Sequence, residues 1–227
     1  ISLSTIREIA SQISSNHISK RKYNRGLYLQ RNGVRELFET FLESDKEVFL
    51  LLGRSGVGKT NFFTSLLDLD YQNKPIYLFY DGGKLDTSRP LIEIITEEFK
   101  KHLEFRENLD KDQPHDVLSA IANSDALKGH QVVLIIDAIN ENERSRLLLK
   151  QIEILLQSNK YSWFKIAISS RPEAWRAIKR WGDLSEHRYF RVKEQNEIGV
   201  ELPPFSFSAE LKPFSSDNTF AKDELKK

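Results

Sequence analysis

The sequence predicts a three-layer α/β fold, with a central parallel sheet of about five strands between two layers of helices. Three observations carry this reading. Short apolar runs, spaced as strands, alternate with longer stretches whose apolar residues recur every three or four positions. The first such run leads straight into a glycine-rich segment and then a helical pattern. The most apolar run, 132–136, ends on an acid, Asp137. Strands that alternate with helices in this way pair in parallel and need cover on both faces.

In chain order, Leu3, Ile6, Ile9, Ala10 and Ile13 recur at helical spacing and predict a helix over 3–13. Lys20, Arg21, Lys22 and Arg25 then read as a solvated basic linker. A helix over 32–42 follows, with Val34, Leu37, Phe38 and Phe41 on one face. Residues 47–52 are a buried strand, since 48–52 is unbroken apolar sequence. Phe62, Phe63, Leu66 and Leu67 predict a helix over 61–69. Residues 75–80 form a second strand, ended by Asp81-Gly82-Gly83. A helix over 90–105 starts on a proline, which suits the first turn. Then come a helix over 114–127, the strand 132–136, a helix over 143–156, the strand 164–168, a helix from Pro172 to about 181, and a last strand over 188–192.

Beyond residue 193 the pattern weakens; 201–206 is loop-like, and 208–214 suits the start of a short helix. These shifts divide the chain into an N-terminal helix and basic linker (1–24), one α/β domain (25–200), and the beginning of a further helical region (201–227). The chain holds no methionine, even at position 1, so we expect a segment of a longer protein.

Composition excludes several classes of function. Among 227 residues there is no cysteine, which rules out disulfides, thiolate metal sites and cysteine nucleophiles. The net charge of +1 gives no support for bulk affinity to nucleic acid or membranes. No apolar run approaches the roughly 20 residues that span a bilayer, and the start lacks a secretory pattern, so a cytoplasmic location is expected. The five histidines are scattered without metal-ligand spacing.

The chemistry is concentrated in three places. Gly53-Arg54-Ser55-Gly56-Val57-Gly58-Lys59-Thr60 is a complete phosphate-binding loop between a strand and a helix. Its glycines let the backbone approach a ligand, and its amides and the helix start favour phosphate oxygens. Lys59 would reach the terminal phosphates, Thr60 would join a magnesium shell, and Asn61 opens the helix. Asp137, at the end of a buried strand, would hold a magnesium-bound water, with Glu141 four positions on to orient or deprotonate the attacking water. Ser169-Ser170-Arg171-Pro172 follows the next strand, where ligands of parallel sheets sit, and Arg171 could sense the terminal phosphate. The fold implied is a P-loop NTPase of the ASCE type. No Asn-Lys-x-Asp sequence occurs, which argues against guanine and leaves ATP or ADP with Mg2+ as the expected ligand.

Together these motifs resemble the nucleotide-binding domain of STAND-class NTPases, closest to the NACHT-like branch. The matching segments are 53–60, Ile135-Ile136-Asp137-Ala138-Ile139-Asn140-Glu141, and Ala167-Ile168-Ser169-Ser170-Arg171-Pro172. The family has an acidic pair where this chain has Asn140 and Glu141, so slow hydrolysis is expected. Tyr28-Leu29-Gln30-Arg31 stands where the family contacts adenine, and on that basis Tyr28 and Arg31 join the expected nucleotide site. The resemblance implies a signalling switch, often in antiviral defence, that exchanges ADP for ATP, forms a homo-oligomer and activates an effector. Sensor and effector would lie outside this chain. Two readings stay open: another P-loop enzyme, either an AAA+ ATPase or a small-molecule kinase, and a nucleotide-binding scaffold with negligible turnover.

Overall fold

The computed structural model describes residues 2–18, 30–67, 75–104, 127–128, 130–157, 163–180, 184–192 and 198–204. The strands β1 (Val48–Leu52), β2 (Ile76–Asp81), β3 (Val132–Asp137), β4 (Phe164–Ser170) and β5 (Val200–Glu201) form one parallel sheet in the order β2-β3-β4-β1-β5. The helices are α1 (Leu3–His17), α2 (Asn32–Glu43), α3 (Lys59–Leu67), α4 (Leu91–Glu104), α5 (Ser145–Gln157) and α6 (Pro172–Lys179).

Strand residues alternate between two cores, because successive side chains leave a strand on opposite faces. Val48, Leu50, Leu134 and Ile136 meet Ile6, Ile9 and Ile13 of α1, with Ile95 of α4 and Ile152 of α5. Phe49, Leu51, Val133 and Ile135 meet Val34, Phe38 and Phe41 of α2 and Phe62, Phe63 and Leu66 of α3. Both faces are thus covered, which is why the central strands are apolar at nearly every position.

The N-terminal helix belongs to this core. Ser14 on α1 is buried, and its hydroxyl accepts from Phe79 N–H at 3.0 Å and donates to Tyr77 C=O at 3.4 Å. Those backbone groups lie on β2, the edge strand, so the helix satisfies positions that a further strand would otherwise pair. At the other side of the molecule, the Lys165 ammonium donates to the carbonyls of Phe41, Ser44 and Lys46 at 2.8, 2.7 and 3.0 Å. It finishes the C-terminus of α2, where carbonyls lack helical partners, and ties that helix to β4. Buried Glu153 on α5 accepts from Ser185 N–H at 3.1 Å and from Arg188 Nε at 3.4 Å. Arg188 also reaches Glu47, just before β1.

The predicted helices over 3–13, 32–42, 61–69, 90–105, 143–156 and from Pro172 all occur, the first running on to His17. The helix expected over 114–127, apart from Leu127, and the one expected over 208–214 lie outside the described residues, as do the basic linker and Tyr28. One expectation is corrected. Residues 188–192 are not the last strand: Tyr189 makes a single bridge to Val48, and Phe190 N–H donates to Val48 C=O at 2.8 Å. The fifth strand is Val200–Glu201, which continues along the same edge of β1 opposite Leu51 and Leu52. Arg188 is held by two carboxylates there, and the chain leaves β1 before a ladder forms.

Candidate nucleotide-binding site

Among the described residues, the loop 53–60, Asp137, Glu141 and Arg171 gather at the carboxyl ends of β1, β3 and β4, while Tyr28 lies outside them. The loop after β1 needs its glycines for different reasons. A Cβ on Gly53 would lie 2.8 Å from Val57 Cγ2 and 3.1 Å from the Leu202 carbonyl oxygen, so the loop and the exit of β5 close around it. Gly56 and Gly58 have φ of 79° and 98°, the left-handed region that favours glycine. Gly53 N–H donates to Ser170 C=O at 3.2 Å, which extends the β1–β4 pairing into the loop. Arg54 and Ser55 are exposed at the loop tip, and Asn61 sits in the first turn of α3.

Lys59 opens α3 and folds back over the loop. Its ammonium donates to Gly53 C=O at 2.6 Å and to Arg54 C=O at 2.9 Å. Burial pushes its pKa down, and the nearby Asp137 carboxylate opposes that shift. Arg31, which precedes α2, is buried, and its Nη2 donates to Val57 C=O at 3.0 Å. It meets the loop through the backbone.

The loop strand and the acid strand are not neighbours, since β4 lies between β1 and β3. The two motifs nevertheless touch: Thr60 Oγ1 donates to Asp137 Oδ2 at 2.6 Å. Ser169, from the intervening strand, donates its hydroxyl to Asp137 Oδ1 and accepts from Ala138 N–H at 2.8 Å. That last bond holds Ala138 at φ 55°, the one positive φ of a non-glycine residue among the described residues. Such a conformation costs on the order of 1 kcal/mol, least for a small side chain, and here it swings the chain off β3 beside the acid.

Burial raises the pKa of the Asp137 carboxyl, partly offset by the Ser169 and Thr60 hydrogen bonds, with the Asp81 charge adding to the rise. The native state therefore binds this proton more tightly than the unfolded chain does. That stabilisation is complete below the ordinary carboxylate pKa and is lost as pH rises through the elevated native value. Denaturant titrations of the nucleotide-free protein across this range should show that decline, and Asp137→Asn should lack it. An unchanged pH profile in the variant would contradict the assignment.

Glu141 and Arg171 face each other, with Arg171 Nη2 3.6 Å from Glu141 Oε1, and both are about half-exposed. Asn140 Oδ1 accepts from Arg171 N–H at 3.1 Å, so the two residues after Ala138-Ile139 engage Arg171 by backbone and by side chain. Three participants were missed as such in the sequence. Ser169 was visible only as part of the arginine step. Asp81 ends β2 as Asp137 ends β3, a pattern that could have been noticed, and the two are paired in register. Buried Asn142 donates from Nδ2 to Gly82 C=O at 2.7 Å and Leu85 C=O at 3.0 Å, a tie that carries no local sequence signal.

The strand order, with β4 inserted between the loop strand and the acid strand, and the loop–helix junction define the class: a three-layer P-loop NTPase fold of the ASCE type. The Nephrocystin 3, N-terminal family matches residues 84–171, a stretch that contains Asp137, Glu141 and Arg171 and begins after the loop. The crystal structure of Cdc6p from Pyrobaculum aerophilum is similar with a TM-score of 0.50 and 13% identity, over 84% of this chain and 51% of that one. The ORC2 protein of Aeropyrum pernix, in its ADPNP–ADP complexes, gives 0.43 and 12% identity, over 71% of this chain and 47% of that one. Its ADP form gives 0.44 and 12%, over 84% and 53%. The chain thus spans about half the length of these structures, and at such identity the likeness to Cdc6p speaks for the fold. No curated protein matches the chain. No helix among the described residues is long and apolar enough to cross a membrane.

Proposed function

We propose that the chain is the ATP-binding and slowly hydrolysing module of a STAND/NACHT-like switch, in which the state of the nucleotide is coupled to oligomerisation and to activation of an effector. The observation that carries this reading is the 2.6 Å hydrogen bond from Thr60 to Asp137, which joins two motifs 77 positions apart beside an ammonium group and a helix start. A hydroxyl and a carboxylate are hard oxygen donors of the kind magnesium takes, and the left-handed glycines with the start of α3 suit phosphate. Bound magnesium would neutralise charge across the β- and γ-phosphates.

Within this reading Lys59 leaves the Gly53 and Arg54 carbonyls and pairs with the terminal phosphates. Thr60 and Asp137 would hold the metal, and Glu141 would orient the attacking water. Arg171 leaves Glu141 for the γ-phosphoryl group, so the Arg171–Glu141 pair would report which nucleotide is bound. Asn140, which accepts a hydrogen bond where a second acid would stand, accounts for slow turnover. The module would comprise residues 25–200 together with α1, which packs into the same core, and sensor and effector would lie outside it. A role in signalling or antiviral defence in the cytoplasm follows from the resemblance in the three motifs.

The fold likeness to Cdc6p equally suits a second reading, an AAA+ ATPase with the same nucleotide site and continuous turnover. Phosphate release from ATP without an acceptor, read beside sedimentation with ADP and with a non-hydrolysable ATP analogue, separates them. Retained ADP, slow release and assembly with the analogue alone support the switch. Sustained turnover on assembly supports the AAA+ reading, and failure to bind either nucleotide defeats both.

A further inference from the structure

We infer that Asp81 is a second acceptor for the water shell of the bound magnesium, acting beside Asp137; this rests on the nucleotide-binding reading above. The register of the sheet puts Asp81 directly opposite Asp137, each the last residue of its strand. By alternation Asp81 shares the face of Phe79, and Asp137 that of Val133 and Ile135, the face covered by α3. Adjacent strands lie about 5 Å apart, so the two carboxylates are neighbours on the side where Thr60 enters.

Asp137 is already heavily used, with the Thr60 hydroxyl on Oδ2 and the Ser169 hydroxyl on Oδ1. Magnesium dehydrates reluctantly and keeps several waters, whose hydrogens need further acceptors. Asp81 has that capacity. Its Oδ1 accepts from Gly83 N–H at 3.2 Å, and its Oδ2 pairs with Lys84 Nζ at 3.1 Å. The Lys84 side chain is 68% exposed against 16% for Asp81, so this partner is a solvated one that can yield.

The turn that carries Asp81 is also built to stay in register with the site. A Cβ on Gly82 would lie 2.7 Å from the Asp137 carbonyl oxygen. One on Gly83 would lie 3.1 Å from Glu141 Cβ and 3.4 Å from Asp81 Oδ1. The two glycines therefore let the turn lie flush against the segment 137–141, and Asn142 fastens it there through Gly82 and Leu85. Such close docking keeps Asp81 in place relative to both Asp137 and Glu141.

Asp81→Asn tests this cleanly, because an amide oxygen can still accept from Gly83 N–H while the charge is gone. Binding of a fluorescent ADP would be followed in excess EDTA and then along a magnesium titration. Neither the affinity in EDTA nor the unfolding midpoint without ligand should fall, since the change removes a charge that opposes the Asp137 carboxylate. The magnesium concentration that gives half of the metal-dependent gain should rise about tenfold, the size seen when an outer-shell partner of a metal is removed. Lys84→Met, which leaves Asp81 charged, should not raise that concentration. A magnesium-dependent wild type with an unmoved midpoint in Asp81→Asn overturns the role of Asp81 alone. Equal rises in both variants assign the effect to the ion pair and overturn it too. A wild-type chain that binds no nucleotide in either buffer overturns the underlying reading, and this inference with it.

Discussion

Lys59→Ala is expected to remove nucleotide binding, raising Kd at least about 100-fold, since the two charge-assisted bonds it would make to phosphate are worth about 1.5–3 kcal/mol each. In the structure the same ammonium donates to the carbonyls of Gly53 and Arg54 at 2.6 and 2.9 Å. They place the ammonium within the loop with part of its charge buried, and that burial lowers its pKa. The variant should therefore fold normally, and the loss should appear in calorimetric or fluorescence titrations with MgADP and MgATP. If affinity stayed within a few-fold of wild type, the loop at 53–60 would not be the site.

Glu141→Gln is expected to separate turnover from binding. Loss of a group that orients or deprotonates the attacking water lowers rates by about 100-fold or more, so phosphate release should fall by that order while MgATP affinity changes by a few-fold at most. The substitution also weakens the 3.6 Å contact with Arg171. Both groups are about half-exposed, so the pair adds little to stability and unfolding should barely move. Unchanged phosphate release with binding intact would remove Glu141 from the mechanism and leave Asp81, which ends β2 as Asp137 ends β3, as the next carboxylate to examine.

Much of this site was legible because its main parts are local. A phosphate loop works through consecutive backbone amides and one lysine, so the eight residues Gly53 to Thr60 carry their own geometry, and glycines at 56 and 58 mark the left-handed positions directly. Asp137 was legible for a similar reason, as a charge that ends the most apolar strand. The three central layers also follow from periodicity, since strands covered on both faces must be apolar throughout while helices are apolar on one side. The last strand was misplaced because a two-residue ladder has no periodicity to read. Residues 188–192 alternate better than Val200–Glu201, but Arg188 is tied to Glu47 and Glu153.

The order of the described elements apart from the last strand, the loop, the strand-end acid and the arginine step were readable directly, because each is written in a few adjacent residues. How they combine depends on long-range packing. The insertion of β4 between β1 and β3 brings Ser169 onto one oxygen of Asp137 while Thr60 reaches the other. The register of β2 against β3 sets Asp81 beside Asp137, and Asn142 joins two turns that are about sixty positions apart in the chain. Strand order and register are choices made by the whole core, in which the central strands bury both faces at once, and no single segment encodes them.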